Sequence, residues 1–226
     1  MNWRFFVVDE PERIDTVDAQ EPFTRRHSRL LVILIVGVIV VGVAWMARHR
    51  MNYKEGTAHP LVGTRLTQVR LEPLEESAPV ITEENFHGKI TLINFWGTWC
   101  PPCRLEMPHL IDLYKEFRGD SNFQMVLVSC EGSPGQTAKK LRETTTQYLR
   151  QFDVRPPVAF DPDQVTRRRI AELGLSDFGY PTTIILDEDG VIRGLWVGYR
   201  DGLENLQRSL LRDLLTQAQR KSKTTS

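Results

Sequence analysis

The run Lys89 to Trp96, KITLINFW, followed by Gly97-Thr-Trp-Cys-Pro-Pro-Cys103, constrains the fold of this chain more than any other feature. A short, mostly apolar, β-rich segment of this kind is a strand covered on both faces. Two successive prolines suit only the first turn of a helix, where a missing N–H costs little and a fixed φ favours the helix. The chain must therefore pass from a buried strand through a tight loop into a helix from Pro101 to about Phe117, capped by Cys100. A thiolate at Cys100 would face the positive end of the helix dipole, which lowers the pKa of the thiol. Neither proline has an N–H, so the first backbone donor able to reach the Cys100 sulfur is that of Cys103.

Three chemistries compete for such a pair. Zinc needs two further ligands, and Cys130, His87 and His109 stand at no established spacing. A purely structural disulfide across two intervening residues removes little loop entropy. Thiol-disulfide exchange is the use that a Cys-x-x-Cys between a buried strand and a helix serves in an α/β chain.

The rest of the pattern is of that kind. Phe123 to Ser129 reads as a strand, Thr137 to Phe152 as a helix, Pro157 to Phe160 as a short strand and Asp163 to Leu173 as a helix. Ile184 to Leu186 and Val191 to Val197 flank the turn Asp187-Glu-Asp-Gly190 as an antiparallel hairpin, and Leu203 to Gln217 is amphipathic. Leu61 to Leu74 and Ala78 to Thr82 are short extended candidates. Together these predict one α/β domain with a mixed central sheet flanked by helices. A formal net charge of zero over 226 residues gives no electrostatic ground for a nucleic-acid partner.

Leu30 to Ala47, LLVILIVGVIVVGVAWMA, carries no charge. At ~1.5 Å per residue it spans roughly 27 Å as a helix, close to a bilayer core, and it has no polar face. The expected organisation is a tail over 1–29, a transmembrane anchor over 30–47, a linker over 48–59, the folded domain over 60–218 and a disordered tail over 219–226. Gly42-Val43-Ala44 is a possible cleavage site, but the long segment before it favours an uncleaved anchor. Arginines flank the run on both sides, so the positive-inside rule does not orient it.

Gly88-Lys89, Ile93-Asn-Phe-Trp96, Trp99-Cys-Pro-Pro-Cys103, Glu106, Pro108 and Gly179-Tyr-Pro-Thr-Thr183, followed by Ile184-Ile-Leu-Asp187 and Gly190, carry a family resemblance. From about Pro60 to Gln217 the chain resembles the membrane-anchored, thioredoxin-like thiol-disulfide oxidoreductases of the TlpA/ResA/CcmG group. The resemblance implies a thioredoxin fold and no cofactor other than a redox-active Cys100–Cys103 disulfide. Cys100 would be the attacking thiol and Cys103 the resolving one. Pro181 matches the family's cis-proline, and the Tyr180 backbone before it would pair with the substrate. With Trp99, Pro101 and Pro102 these residues form the expected docking face. Glu106, one helical turn beyond Cys103, would take the resolving thiol's proton if it is buried.

The implied partners are protein disulfides and a membrane thiol donor of the DsbD/CcdA type, with cytochrome c maturation as the setting. The implied location is the cytoplasmic membrane, single-pass, with the catalytic domain on the periplasmic or exterior side. Two alternatives stand beside this: a binding module without turnover, and a peroxiredoxin-like peroxidase, which typically has a threonine where this chain has Gly97. Pro108 is expected to bend its helix, Trp96 to pack in the core and Cys130 to be a small buried hydrophobe. His109 and Arg167-Arg-Arg169 read as solvated helix residues.

Overall fold

A computed structural model describes residues 31–43, 56–75, 77–133, 135–176 and 178–225. The chain divides into two units, Met1–Arg48 and His49–Ser226. In the first, residues 31–43 form helix α1, with its apolar side chains exposed. The expected anchor continues to Ala47, outside the described residues, as does the tail over 1–29. Among the described residues no helix is long and apolar enough to cross a membrane.

The second unit is built on six strands in the order β1-β4-β3-β2-β5-β6: β1 Glu72–Pro73, β2 Ile90–Trp96, β3 Phe123–Ser129, β4 Val158–Phe160, β5 Thr182–Leu186 and β6 Ile192–Val197. Strands β2, β3 and β4 run parallel, and β5 pairs antiparallel with both β2 and β6. The sheet is thus mixed, as the pattern of the sequence predicts. Strand β2 is buried along its whole length, because helices or chain segments cover both faces. Alternate side chains of a strand point to opposite faces. Leu92 and Trp96 accordingly enter one core with Met107 and Leu110 of helix α2 (Pro101–Phe117) and Leu206 and Leu210 of helix α5 (Leu203–Thr225). Ile93 and Phe95 enter the other core with Ile170 of helix α4 (Val165–Glu172) and Leu61 and Leu66 of the N-terminal segment. Asn94 has the parity of Leu92 and Trp96, and so points at α2 and α5.

The observed elements differ from the pattern at their ends, each for a local reason. Helix α3 spans Ala138–Leu149, because Thr137 is its cap and accepts the Lys140 N–H at 3.2 Å. Helix α4 starts two residues later than the composition suggests, since Asp163 and Gln164 adopt left-handed φ values of 54° and 58°. Left-handed backbone costs a non-glycine residue roughly 1–2 kcal/mol. Here it turns the chain so that Asp161 accepts the Thr166 and Arg167 N–H groups, each at 2.8 Å. Of the extended candidates before β2, only Glu72–Pro73 is a strand, and Arg65 and Leu71 make isolated bridges to Val191 and Ile81.

Two expected boundaries are corrected. The folded unit begins before Pro60, since Gly56 is buried against the Trp196 indole. Residues 219–225 are not a disordered tail, because α5 runs to Thr225. Gln219 donates to Asp120 at 2.8 Å and Lys221 pairs with Glu188, which holds the extra turns on the domain.

Candidate active site

Strand β2 delivers the chain to Gly97, and the Cys100 N–H closes the loop on the Gly97 carbonyl at 3.1 Å. Cys100 caps α2 with extended backbone, Pro101 and Pro102 fill the first two helical positions, and the Cys103 N–H reaches Cys100 Sγ at 3.3 Å. This is the single donor expected once both prolines are excluded. Cys100 and Cys103 are joined in a disulfide, with Cα atoms 5.3 Å apart. Pro101 is exposed and Pro102 half-buried, so the rim of the site is apolar and open. Pro108 lies inside α2, where it removes the N–H that would meet the Arg104 carbonyl.

Trp99 is 45% exposed yet tightly held. Its indole N–H donates to the Cys130 carbonyl at 3.1 Å, and its ring meets Tyr180 edge-on at 5.3 Å. Gly97 and Gly132 make room for it: a Cβ on Gly97 would lie 2.7 Å from Trp99 Cε2, and one on Gly132 2.7 Å from Cγ. We expect Gly132→Ala to displace the indole and lower exchange with protein disulfides about tenfold, with little loss of melting temperature, because the clash falls on a rim side chain rather than on the core. Parallel kinetics and thermal melts of the variant test this.

The Tyr180–Pro181 peptide bond is cis. Pro181 is buried, and its carbonyl accepts the Gly198 N–H at 2.7 Å. The peroxidase alternative gains nothing from this geometry, since the position where its threonine would stand is Gly97, packed under Trp99.

Glu106 is 1% exposed. Its Oε2 accepts from Asn94 Nδ2 at 2.9 Å, and its Oε1 accepts from Thr183 Oγ1 at 3.2 Å and Gln207 Nε2 at 3.3 Å. Burial pushes the carboxyl up to about 7, while the hydrogen bonds from Gln207, Asn94 and Thr183 pull it partly back. The outcome is a buried acid able to gain or lose a proton near neutrality, one turn from Cys103 on the same helix.

Asn94 sits opposite Thr183 in the β2–β5 register and donates to its hydroxyl at 2.8 Å, so the sheet itself builds half of this polar pocket. Gln207 was not foreseen. Its readable trace is a buried amide on the apolar face of α5, between Leu203 and Leu211 at helical spacing.

Four further expectations meet the structure here. Trp96 and Cys130 are fully buried, and burial pushes the Cys130 thiol up to about 12. His109 is not a solvated helix residue, since it is half-buried and stacks on Tyr199 at 5.8 Å. Arg167 is also buried, against the expectation of a solvated basic face, because Asp161 and Glu131 draw it inward at 3.1 and 3.0 Å. Among the described residues no group of three or more His, Cys, Asp or Glu is placed to hold a metal ion.

A mixed sheet, a disulfide capping the helix that follows its central strand, a cis-proline and a buried acid one turn on together define a thioredoxin-like thiol-disulfide oxidoreductase. The chain belongs to the AhpC/TSA family, whose profile matches residues 62–195. Among its relatives, the thiol-disulfide oxidoreductase ResA of Oceanobacillus iheyensis is 28% identical over 172 residues, covering 76% of this chain and 80% of that protein. The thiol:disulfide interchange protein DsbE of Pseudomonas aeruginosa is 26% identical over 190 residues, covering 81% and 96%. A crystal structure of a thioredoxin-family thiol:disulfide interchange protein from Chlorobium tepidum superposes with a TM-score of 0.54 at 20% identity, over 68% of this chain and 97% of that one, a likeness of fold.

Proposed function

We propose that this oxidoreductase is a membrane-held reductant of protein disulfides outside the cytoplasm, with Cys100–Cys103 as its redox group. The observation that carries this reading is the shared donor, the Cys103 N–H on Cys100 Sγ at a helix start that favours a thiolate. In the reduced protein the Cys100 thiolate attacks one sulfur of the substrate disulfide and expels the other as a thiolate, giving a mixed disulfide. Glu106 then takes the Cys103 proton, and Cys103 sulfur attacks Cys100 Sγ. The second substrate thiolate leaves, and the protein is left oxidised. Two electrons have passed from the dithiol to the substrate. Trp99, Pro101, Pro102, Tyr180 and Pro181 form the docking face around the reacting sulfur.

The uncharged run 30–47 is the anchor, with 1–29 on the cytoplasmic side and the catalytic domain on the periplasmic or exterior side. A domain on that side has no contact with cytoplasmic reductants, so a membrane thiol carrier of the DsbD/CcdA type is the fitting donor. The resemblance to the TlpA/ResA/CcmG group makes cytochrome c maturation, in which haem-attachment cysteines must be reduced, the fitting setting.

Three measurements test this reading. The full-length protein should stay with membranes after carbonate extraction, and its catalytic domain should be cut by protease added to spheroplasts. In a cell lacking the carrier, Cys100 and Cys103 should accumulate as the disulfide. Carbonate-soluble protein would remove the anchor, and a pair that stays reduced without the carrier would remove the donor.

A further inference from the structure

Trp99 and Tyr180, the two aromatic residues beside the cysteine pair, are joined by a closed circuit of contacts through a part of the molecule with no place in the exchange chemistry. Trp99 donates its indole N–H to the carbonyl of Cys130. The next residue, Glu131, accepts from Arg167 Nη2 with both carboxylate oxygens, at 3.2 and 3.0 Å. Arg167 Nη1 donates to the Tyr180 hydroxyl at 2.7 Å. The Tyr180 ring returns to Trp99 edge-on, and also packs on Phe178 at 5.9 Å.

Arg167 is itself fixed. Its Nε donates to Asp161 Oδ2 at 3.1 Å, its own N–H donates to the same oxygen, and Nη2 also reaches the Asp161 carbonyl at 3.3 Å. A guanidinium with five donors in a rigid fork is the one cationic side chain that can serve two carboxylates and a hydroxyl in one plane. A buried charge is tolerated only with such pairing.

We infer that Arg167 is a positioning residue for substrate docking: it fixes the Trp99–Tyr180 corner into one geometry, and thereby makes the enzyme discriminate protein disulfides from small ones. The inference rests on the docking face proposed above. A protein disulfide must lie across that corner with its flanking chain, whereas a small disulfide has no such chain and needs only to reach Cys100 Sγ. Loosening the corner therefore costs the first substrate binding energy and leaves the second nearly unaffected.

The test uses the full-length chain, recharged with dithiothreitol, and compares insulin with oxidised glutathione. Tyr180→Phe removes the tether, with the hydroxyl's contact to Cys130, and keeps the ring and both ion pairs. Arg167→Lys keeps the charge but loses the fork. Each should lower the ratio of insulin to glutathione kcat/KM about tenfold, carried by KM for insulin. The double variant should fall no further than Arg167→Lys alone, because that substitution already removes the Tyr180 tether.

Additive losses, or equal losses on both substrates, would overturn the assignment. Trp99→Ala and Tyr180→Ala, which remove the corner itself, separate the two levels. If they shift the ratio while Tyr180→Phe and Arg167→Lys do not, Arg167 only holds the fold. If none of the four shifts it, the docking face falls, and this inference with it.

Discussion

Cys103→Ser is expected to yield a protein that joins its clients through Cys100 and cannot release them, while Cys100→Ser captures none. The asymmetry follows from position. Cys100, itself buried, caps α2 beside an open rim formed by exposed Pro101 and half-buried Pro102, whereas Cys103 lies inside the first turn. The sulfur beside that rim is the one an incoming disulfide is expected to meet first. The serine variant also keeps the backbone N–H at position 103, so the donor that stabilises a Cys100 thiolate survives the substitution.

Turnover of a protein disulfide by either variant should drop by at least about a thousandfold, because intramolecular resolution at high effective concentration is replaced by an external thiol. Nonreducing gels of membranes from cells carrying Cys103→Ser should show reducible adducts, and mass spectrometry of those adducts would identify the client. Equal capture by both variants would remove the assigned roles. Adducts composed only of cytoplasmic proteins would overturn the location.

Glu106→Gln is the second large effect, and it separates activity from stability. For activity, loss of the internal base should slow resolution of the mixed disulfide about a hundredfold. It should also erase the inflection near pH 7 in the rate profile. An unchanged profile would return Glu106 to a purely structural role.

For stability the sign is opposite. The folded carboxyl titrates at about 7 against an ordinary 4.5, so between these values the folded state holds a proton that the unfolded chain has released. Stability from this group is therefore fully present below about pH 4.5 and falls as the pH rises towards 7. At ~1.4 kcal/mol per pH unit the loss is about 3 kcal/mol in total. Glutamine has nothing to ionise, but it keeps only one of the two acceptor oxygens, so either Asn94 or the Gln207 and Thr183 pair loses its acceptor. The variant should thus be less active than the parent, and its stability should lack the parent's fall between pH 4.5 and 7. Urea melts at pH 5 and pH 8 check it: the parent should lose stability between the two relative to the variant.

The legible part of this site was the part encoded in consecutive residues. Strand β2 and helix α2 match the expected elements to within a residue, since a buried apolar run and a Pro-Pro helix start are local signals that no distant contact overrides. The hairpin of β5 and β6 was read from its turn in the same way. The Cys103 donor to Cys100 followed from the absence of N–H groups on two prolines, which is covalent chemistry.

What escaped the sequence was set by residues far apart along the chain. Gln207 reaches Glu106 from a helix 101 positions away. Arg167 reads as a solvated member of an arginine triplet, yet turns inward because Asp161 and Glu131 wait there. His109 has a ring partner only because α2 brings it to Tyr199, and the last turns of α5 are held by Asp120 and Glu188 from other loops.

The sequence by itself determined the redox pair, its place at a helix start and the strand that presents it, because sterics, missing donors and apolar periodicity act over a few residues. Only the tertiary structure decided which acid is buried, what hydrogen-bonds it and which arginine braces the rim. Burial and charge pairing depend on what the fold brings within a few ångströms, and spacing along the chain does not record that distance.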